Sequence, residues 1–141
     1  MKSAEVAHRQ PIRVYWEDTD AAGIVFYANY LKFFERARTE WLRSRGFEQE
    51  QLRSGAGIAF VVTDTSLRCL LPARLDDLLD VTVSVVHFGQ ASLQISQEAW
   101  RADRLLASGS IRIGCVELGT FRPCRIPNDI RLSLAEPMPP R

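Results

Sequence analysis

The sequence predicts an α+β domain in which one amphipathic helix packs on an antiparallel sheet. Three observations predict it. From Tyr30 onward the apolar residues recur at helical spacing. Elsewhere they alternate with polar residues, which is the period of a strand. The turns between the later strands are short and polar, and short turns join consecutive strands into an antiparallel meander.

In chain order, residues 1–10 (MKSAEVAHRQ) read as a polar tail. Pro11 to Trp16 alternates and is rich in strand formers, so it reads as the first strand. Residues 17–29 mix acids, small residues and one glycine, a structured loop. In the helix that follows, Tyr30, Phe33, Phe34, Ala37 and Trp41 fall on one stripe, opposite Lys32, Glu35, Arg36, Thr39 and Arg43. Asn29 is placed to cap its start and Gly46 to end it. Large aromatics on one face imply a helix pressed on a sheet, at about 1.5–3 kcal/mol for each buried large side chain. Four strand patterns follow: Ala59 to Leu71, Leu79 to Val85, Leu93 to Ile95, and Ala107 to Cys115. Turns near Gly89 and Asp103 join the last three. Ile126 to Leu134 reads as a short closing segment. The expected organisation is one domain over residues 11–134, with a proline-rich tail over 135–141.

Composition narrows the function. The 141 residues are 46% hydrophobic and 25% charged, as expected of a globular domain. A formal net charge of +1 supplies no global field for nucleic acid or an anionic membrane. No apolar run has the length of a membrane span or a secretion signal. Cys69, Cys115 and Cys124 are odd in number and widely spaced, with only two histidines to complete a metal site, so they read as reduced thiols. The expected compartment is the cytoplasm, and no metal or organic cofactor is expected.

Hydrolytic chemistry needs a base or nucleophile and a group to stabilise an oxyanion. Neither His8 nor His87 has a serine or cysteine partner in view, and no phosphate-binding glycine motif or HExxH is present. The dense polar cluster is Glu17-Asp18-Thr19-Asp20 before Ala21-Ala22-Gly23. It reads first as a solvated acidic turn, since Asp is common in turns, and alternatively as a carboxylate beside a helix N-terminus, whose free N–H groups polarise a carbonyl. Gly23 and its small neighbours would let a substrate approach the backbone. Physics alone leaves both readings open.

The stretch from Tyr15 to Leu42, YWEDTDAAGIVFYANYLKFFERARTEWL, with its pattern D-x-D-x-x-G-[IV]-V-x-x-x-x-Y, resembles the YbgC-type acyl-CoA thioesterases, a branch of the 4-hydroxybenzoyl-CoA thioesterase group. The PARLDD run within Phe60 to Leu79 is similar to that family too. The resemblance covers about residues 11–130. It implies a hotdog fold, five or six antiparallel strands wrapped around one long central helix. It implies a homodimer, often paired into a homotetramer, acting on an acyl-CoA, with acyl carrier protein as a second candidate carrier of the acyl group. The family's catalytic aspartate falls on Asp20. The backbone N–H that polarises the thioester carbonyl falls at or near Tyr27. Well-known YbgC-type sequences carry histidine where this chain has Tyr27, while the 4-hydroxybenzoyl-CoA branch has tyrosine, so a backbone role is the one carried over.

Glu35 is the competing carboxylate, since other hotdog thioesterases place theirs on the central helix. Its ordinary reading is a surface pair with Arg38 or plain solvent exposure on the Thr39 side, pointing away from the sheet. Arg122 and Arg125, in FRPCRIP, are candidates for the CoA phosphates, against the alternative of a solvated basic loop. The expected function is hydrolysis of an acyl-CoA thioester by Asp20, as nucleophile or general base. The rival reading is a hotdog module that binds acyl-CoA or acyl carrier protein without turnover.

Overall fold

A computed structural model of the protein describes residues 5–136. Five strands form one antiparallel sheet: β1 (Val6–Arg13), β2 (Ile58–Cys69), β3 (Leu78–Phe88), β4 (Ser92–Arg101) and β5 (Arg104–Glu117). Their spatial order is β1-β3-β4-β5-β2. The helices are α1 (Asn29–Ser44), a single turn α2 (Gln49–Gln51) that runs into a π-turn at Leu52–Ala56, and α3 (Asn128–Leu134).

The expected helix stripe is the stripe that is buried. Tyr30, Phe33, Phe34, Ala37 and Trp41 are each at most 2% exposed. They meet the odd-numbered residues of the central strands, including Val81, Val83, Ile95, Ala107 and Ile111. The helix approaches closely at Gly109, where an added Cβ would lie 2.7 Å from Cε2 of Phe34. One polar side chain is built into this contact. Gln97, fully buried, donates to the carbonyls of Phe34 (3.0 Å) and Thr82 (3.3 Å) and accepts from Arg38 Nη1 at 2.9 Å. Its amide is satisfied at both ends, which lets it replace an apolar residue at low cost.

Four expectations need correction. The first strand begins at Val6, so residues 6–10 belong to the sheet rather than to a tail. Their polar character suits β1 because it is an edge strand, where one backbone side and one face meet water. Pro11, opposite Asp80, is tolerated there because an edge strand does not need every N–H. Trp16–Asp18 leaves the sheet as a 3₁₀ turn. The strands are also not a simple meander: β2 crosses to the far edge and pairs with β5. Its separation from β3 by residues 70–77 permits this crossing. Finally, Asn29 does not cap α1; Ala28 occupies that position, and the Asn29 side chain turns back to the preceding loop. Gly46 does end the helix, at φ +88°, with Phe47 N–H reaching the Leu42 carbonyl at 2.9 Å. Residues 137–141, most of the expected proline-rich tail, lie outside the described residues.

Candidate active site

The acidic cluster divides into two carboxylates with opposite surroundings. Asp18 is 4% exposed. Its Oδ2 accepts the Tyr15 backbone N–H at 2.8 Å and its Oδ1 accepts Asn29 Nδ2 at 2.7 Å. Its carbonyl also accepts Phe26 N–H at 3.0 Å. Asp18 thus ties the end of the first strand segment to the first residue of α1. Each carboxylate oxygen holds one structural hydrogen bond in a buried position, so Asp18 does not present its carboxylate to a substrate.

Asp20 is exposed at the tip of the hairpin that this tie supports. Thr19 and Val25 pair across it. Asp20 N–H donates to the Ile24 carbonyl and Gly23 N–H donates to the Asp20 carbonyl, both at 2.9 Å. The turn requires φ +78° at Gly23, the left-handed region that glycine enters without penalty. Oδ1 of Asp20 accepts Ala22 N–H at 2.9 Å. Oδ2 has no hydrogen-bond partner among the described residues. One oxygen is anchored and the other is free, an arrangement that orients a carboxylate for attack or for activating a water.

A platform lies beneath the hairpin. Val25 N–H donates to the Ala73 carbonyl at 2.8 Å, and Ile24 bridges to Arg74. Arg74 N–H and Arg101 Nη1 both donate to Asp77 Oδ2 at 2.8 Å. Burial opposes the ionisation of Asp77, but these two donors prevail and hold its carboxyl below the usual value. The PARLDD run is therefore the support on which the hairpin stands.

Past the hairpin, the chain enters α1 through Phe26 and Tyr27, whose rings are 4.9 Å apart at 49°. Tyr27 is 64% exposed. The N–H groups of Asn29, Tyr30 and Leu31 are already spent on the carbonyls of Phe26, Tyr27 and Ala28. Those of Tyr27 and Ala28 donate to no atom of the described residues. The two free donors at the head of α1 follow Asp20 by seven and eight positions. They are the groups available to an oxyanion.

Glu35 does not form the expected pair with Arg38; no ion pair involves it among the described residues. Arg38 turns inward to Gln97 instead, and burial lowers its pKa while nearby Glu35 opposes that shift. Nor does Glu35 face away from the sheet. It stands at the rim of a groove of about 290 Å³ between α1 and the strands, walled by Trp41, Leu42, Phe60, Val62 and Ile113. The helical wheel hides this because the groove opens beside the buried stripe, between α1 and β2.

Arg122 and Arg125 are exposed on the arm that follows β5. This arm is tied to the start of β2 through Leu118 N–H and the Gly57 carbonyl, 2.9 Å. The Asp20 hairpin lies by the other end of β2, since Leu70 and Leu71 N–H reach the Leu106 carbonyl and Ala73 holds Val25. Eleven residue steps along β5 separate Leu106 from Glu117, roughly 36 Å at strand rise. Within one chain the arginines and Asp20 are therefore far apart. The sequence reading missed Phe121 on the same arm, an aromatic 68% exposed at φ +56°. Such a conformation is uncommon for a bulky residue. Only its isolation between Thr120 and Arg122 hinted at an exposed position.

Comparison with known proteins identifies the family. The thioesterase superfamily model matches residues 22–108. The acyl-CoA thioesterase YbgC of Haemophilus influenzae is 40% identical over 121 residues, covering 86% of this chain and 89% of that protein. The acyl-CoA thioester hydrolase YbgC of Escherichia coli O157:H7 is 39% identical, covering 86% and 91%. Among solved structures, a probable thioesterase from Bartonella henselae superimposes with a TM-score of 0.82 at 32% identity, covering 85% of this chain and 98% of that one. The five-stranded antiparallel sheet on a central helix and these likenesses agree: the chain belongs to the thioesterase superfamily, alongside the YbgC acyl-CoA thioesterases.

Proposed function

We infer that the protein hydrolyses acyl-CoA thioesters and that Asp20 is the catalytic carboxylate, acting as nucleophile or general base. The observation that carries this is the pairing of a half-anchored Asp20 with the unengaged Tyr27 and Ala28 N–H groups at the head of α1. A thioester carbonyl seated there has a carboxylate on one side and two donors for its oxygen on the other. A water that gives its proton to Asp20 adds to the carbonyl carbon, or Asp20 itself adds and forms a mixed anhydride that water then hydrolyses. The developing oxyanion is held by the Tyr27 N–H, and the thiolate departs without needing a strong acid. Relatives named as acyl-CoA thioesterases support the substrate class.

The remaining parts of the site come together in a homodimer. The outer edge of β2, twelve residues long, has no strand beside it among the described residues; Val62 is exposed on it, and Leu70 and Leu71 are exposed just past its end. Long edges invite pairing. A two-fold antiparallel pairing sets the Ile58 end of one β2 beside the Cys69 end of the other. It carries the arm with the partner subunit's Arg122 and the partner subunit's Arg125 toward the Asp20 hairpin. It also sets the groove beside Glu35 within reach of the opposing hairpin. The arginines then hold CoA phosphates, Phe121 offers a face to the adenine, and the groove receives the acyl group. Acyl carrier protein remains the second candidate carrier. The three free thiols fit a reducing compartment, the cytoplasm.

The test is Asp20→Asn against Glu35→Gln, assayed by thiol release from a panel of acyl-CoAs at saturation. Asp20→Asn should lower kcat by at least about a hundredfold, the low end for a positioned acid or base. Glu35→Gln should stay within about tenfold of wild type. Binding of acyl-CoA without thiol release by the wild type would make the protein a binding module. A dead Glu35→Gln beside an active Asp20→Asn would move the chemistry to the helix.

A further inference from the structure

Two thiols that the hydrolysis does not use face each other where the arm leaves the sheet. Cys115 is fully buried near the end of β5, and Cys124 is half-buried on the returning arm. Their sulfurs are 3.5 Å apart. Backbone pairing holds them there: Cys124 N–H donates to the Cys115 carbonyl and Glu117 N–H to the Arg122 carbonyl, both at 2.9 Å, around the Val116–Pro123 bridge. Directly opposed residues of such a ladder have Cα atoms about 4.5–5.5 Å apart. That lies inside the span a disulfide bridges, so the sulfurs need only close from 3.5 Å to about 2.05 Å.

We propose that Cys115 and Cys124 form a redox-sensitive dithiol site that takes low-molecular-weight disulfides as its oxidant and locks the arm carrying Arg122 and Arg125 to the end of β5. The half-buried Cys124 is the sulfur a small disulfide can reach. It loses its proton, attacks one sulfur of the oxidant and expels the first small thiol. Cys115 then loses its proton and attacks Cys124 Sγ, expelling the second small thiol. Two protein thiols are oxidised and one small disulfide is reduced to two thiols. Burial and the neighbouring Cys124 push the Cys115 thiol up to about 12, which makes it a poor partner for the encounter; it is the 3.5 Å separation that drives the second, intramolecular step. Cys69, exposed and distant from this pair along β2, has no neighbouring thiol among the described residues.

The experiment equilibrates the full chain, natively folded, in glutathione disulfide–glutathione buffers of increasing ratio. Samples are acid-quenched, alkylated in denaturant and weighed intact, with peptide mapping. Cys69→Ser is run as a second protein that keeps the pair. Expected is a loss of two hydrogens with a Cys115–Cys124 linked peptide in both proteins, reversed by dithiothreitol, while Cys124→Ser shows no bridge. Three free thiols at the most oxidising ratio, a glutathione adduct at Cys124 that never resolves, or a bridge that forms only in denaturant each overturn it. The consequence for activity rests on the CoA role given to the arm: the bridged protein should show a raised KM with kcat unchanged. A bridge with no change in KM overturns the lock on a substrate-holding arm, and leaves the hydrolytic role of Asp20 to its own test.

Discussion

Replacing Asp18 separates what the two carboxylates of the hairpin do. Asp18 accepts two hydrogen bonds, from Tyr15 N–H at 2.8 Å and Asn29 Nδ2 at 2.7 Å, and is 4% exposed. Hydrogen bonds to a charged group contribute about 1.5–3 kcal/mol each. Tyr15 is largely exposed and Asn29 half-buried, so water can satisfy part of what Asp18→Ala leaves unmade. The low half of the summed range applies, about 3–4.5 kcal/mol. For a chain of this length that corresponds to a fall in Tm of about 6–18 °C. Asp18→Asn retains one acceptor and turns an NH₂ toward a donor, so it should fall between wild type and Asp18→Ala. Asp20→Asn keeps the oxygen that accepts Ala22 N–H. Its stability should stay within about 0.5 kcal/mol of wild type, the size of an exposed surface change. The assay is thermal unfolding by circular dichroism, with thiol release measured well below every Tm. Asp18→Ala should lose stability and activity together, because the hairpin loses its tie to α1; Asp20→Asn should lose activity alone. An Asp18→Ala protein that melts with the wild type, or an Asp20→Asn protein that melts as early as Asp18→Ala, would refute this division.

Gly109→Ala forces a Cβ to within 2.7 Å of the Phe34 ring and 3.2 Å of the Ser66 carbonyl, and should cost about 1–3 kcal/mol by denaturant titration, with Gly109→Val worse. Burial raises the Tyr30 hydroxyl from 10.0 to about 12, so its contribution to stability is fully present below pH 10 and is lost as pH rises through 12; Tyr30→Phe should flatten the alkaline fall in urea midpoint over that window, leaving the part due to Cys115, which runs from 9.0 to about 12. Reversing the charge of Arg122 and Arg125 together should raise KM for acyl-CoA and leave kcat nearly unchanged in steady-state assays; an unchanged KM would place the CoA phosphates elsewhere.

Much of this protein is written in local pattern. The helix stripe from Tyr30 to Trp41 needs only the 3.6-residue period, and each of its members is buried. The alternation in β3, β4 and β5 needs only the period of two, and the short turns need only their length. Asp20 and Gly23 stood out in sequence because a turn with a glycine after acids is a local signal. What the sequence could not supply is which elements meet. β2 crosses the sheet to β5 because pairing across the fold depends on which edge is free, and that is not encoded within twelve residues. Val6–Gln10 looked like a tail because an edge strand has few buried side chains to mark it. Asp18 and Asp20 are the same residue type two positions apart, yet one is sealed by Tyr15 and Asn29 and the other is open. Only tertiary contacts separate them. The same holds for Cys115 and Cys124, nine positions apart in sequence and 3.5 Å apart in space. Local periodicity is decided by neighbours on the chain; burial, partner and reach are decided by residues that come from elsewhere in it.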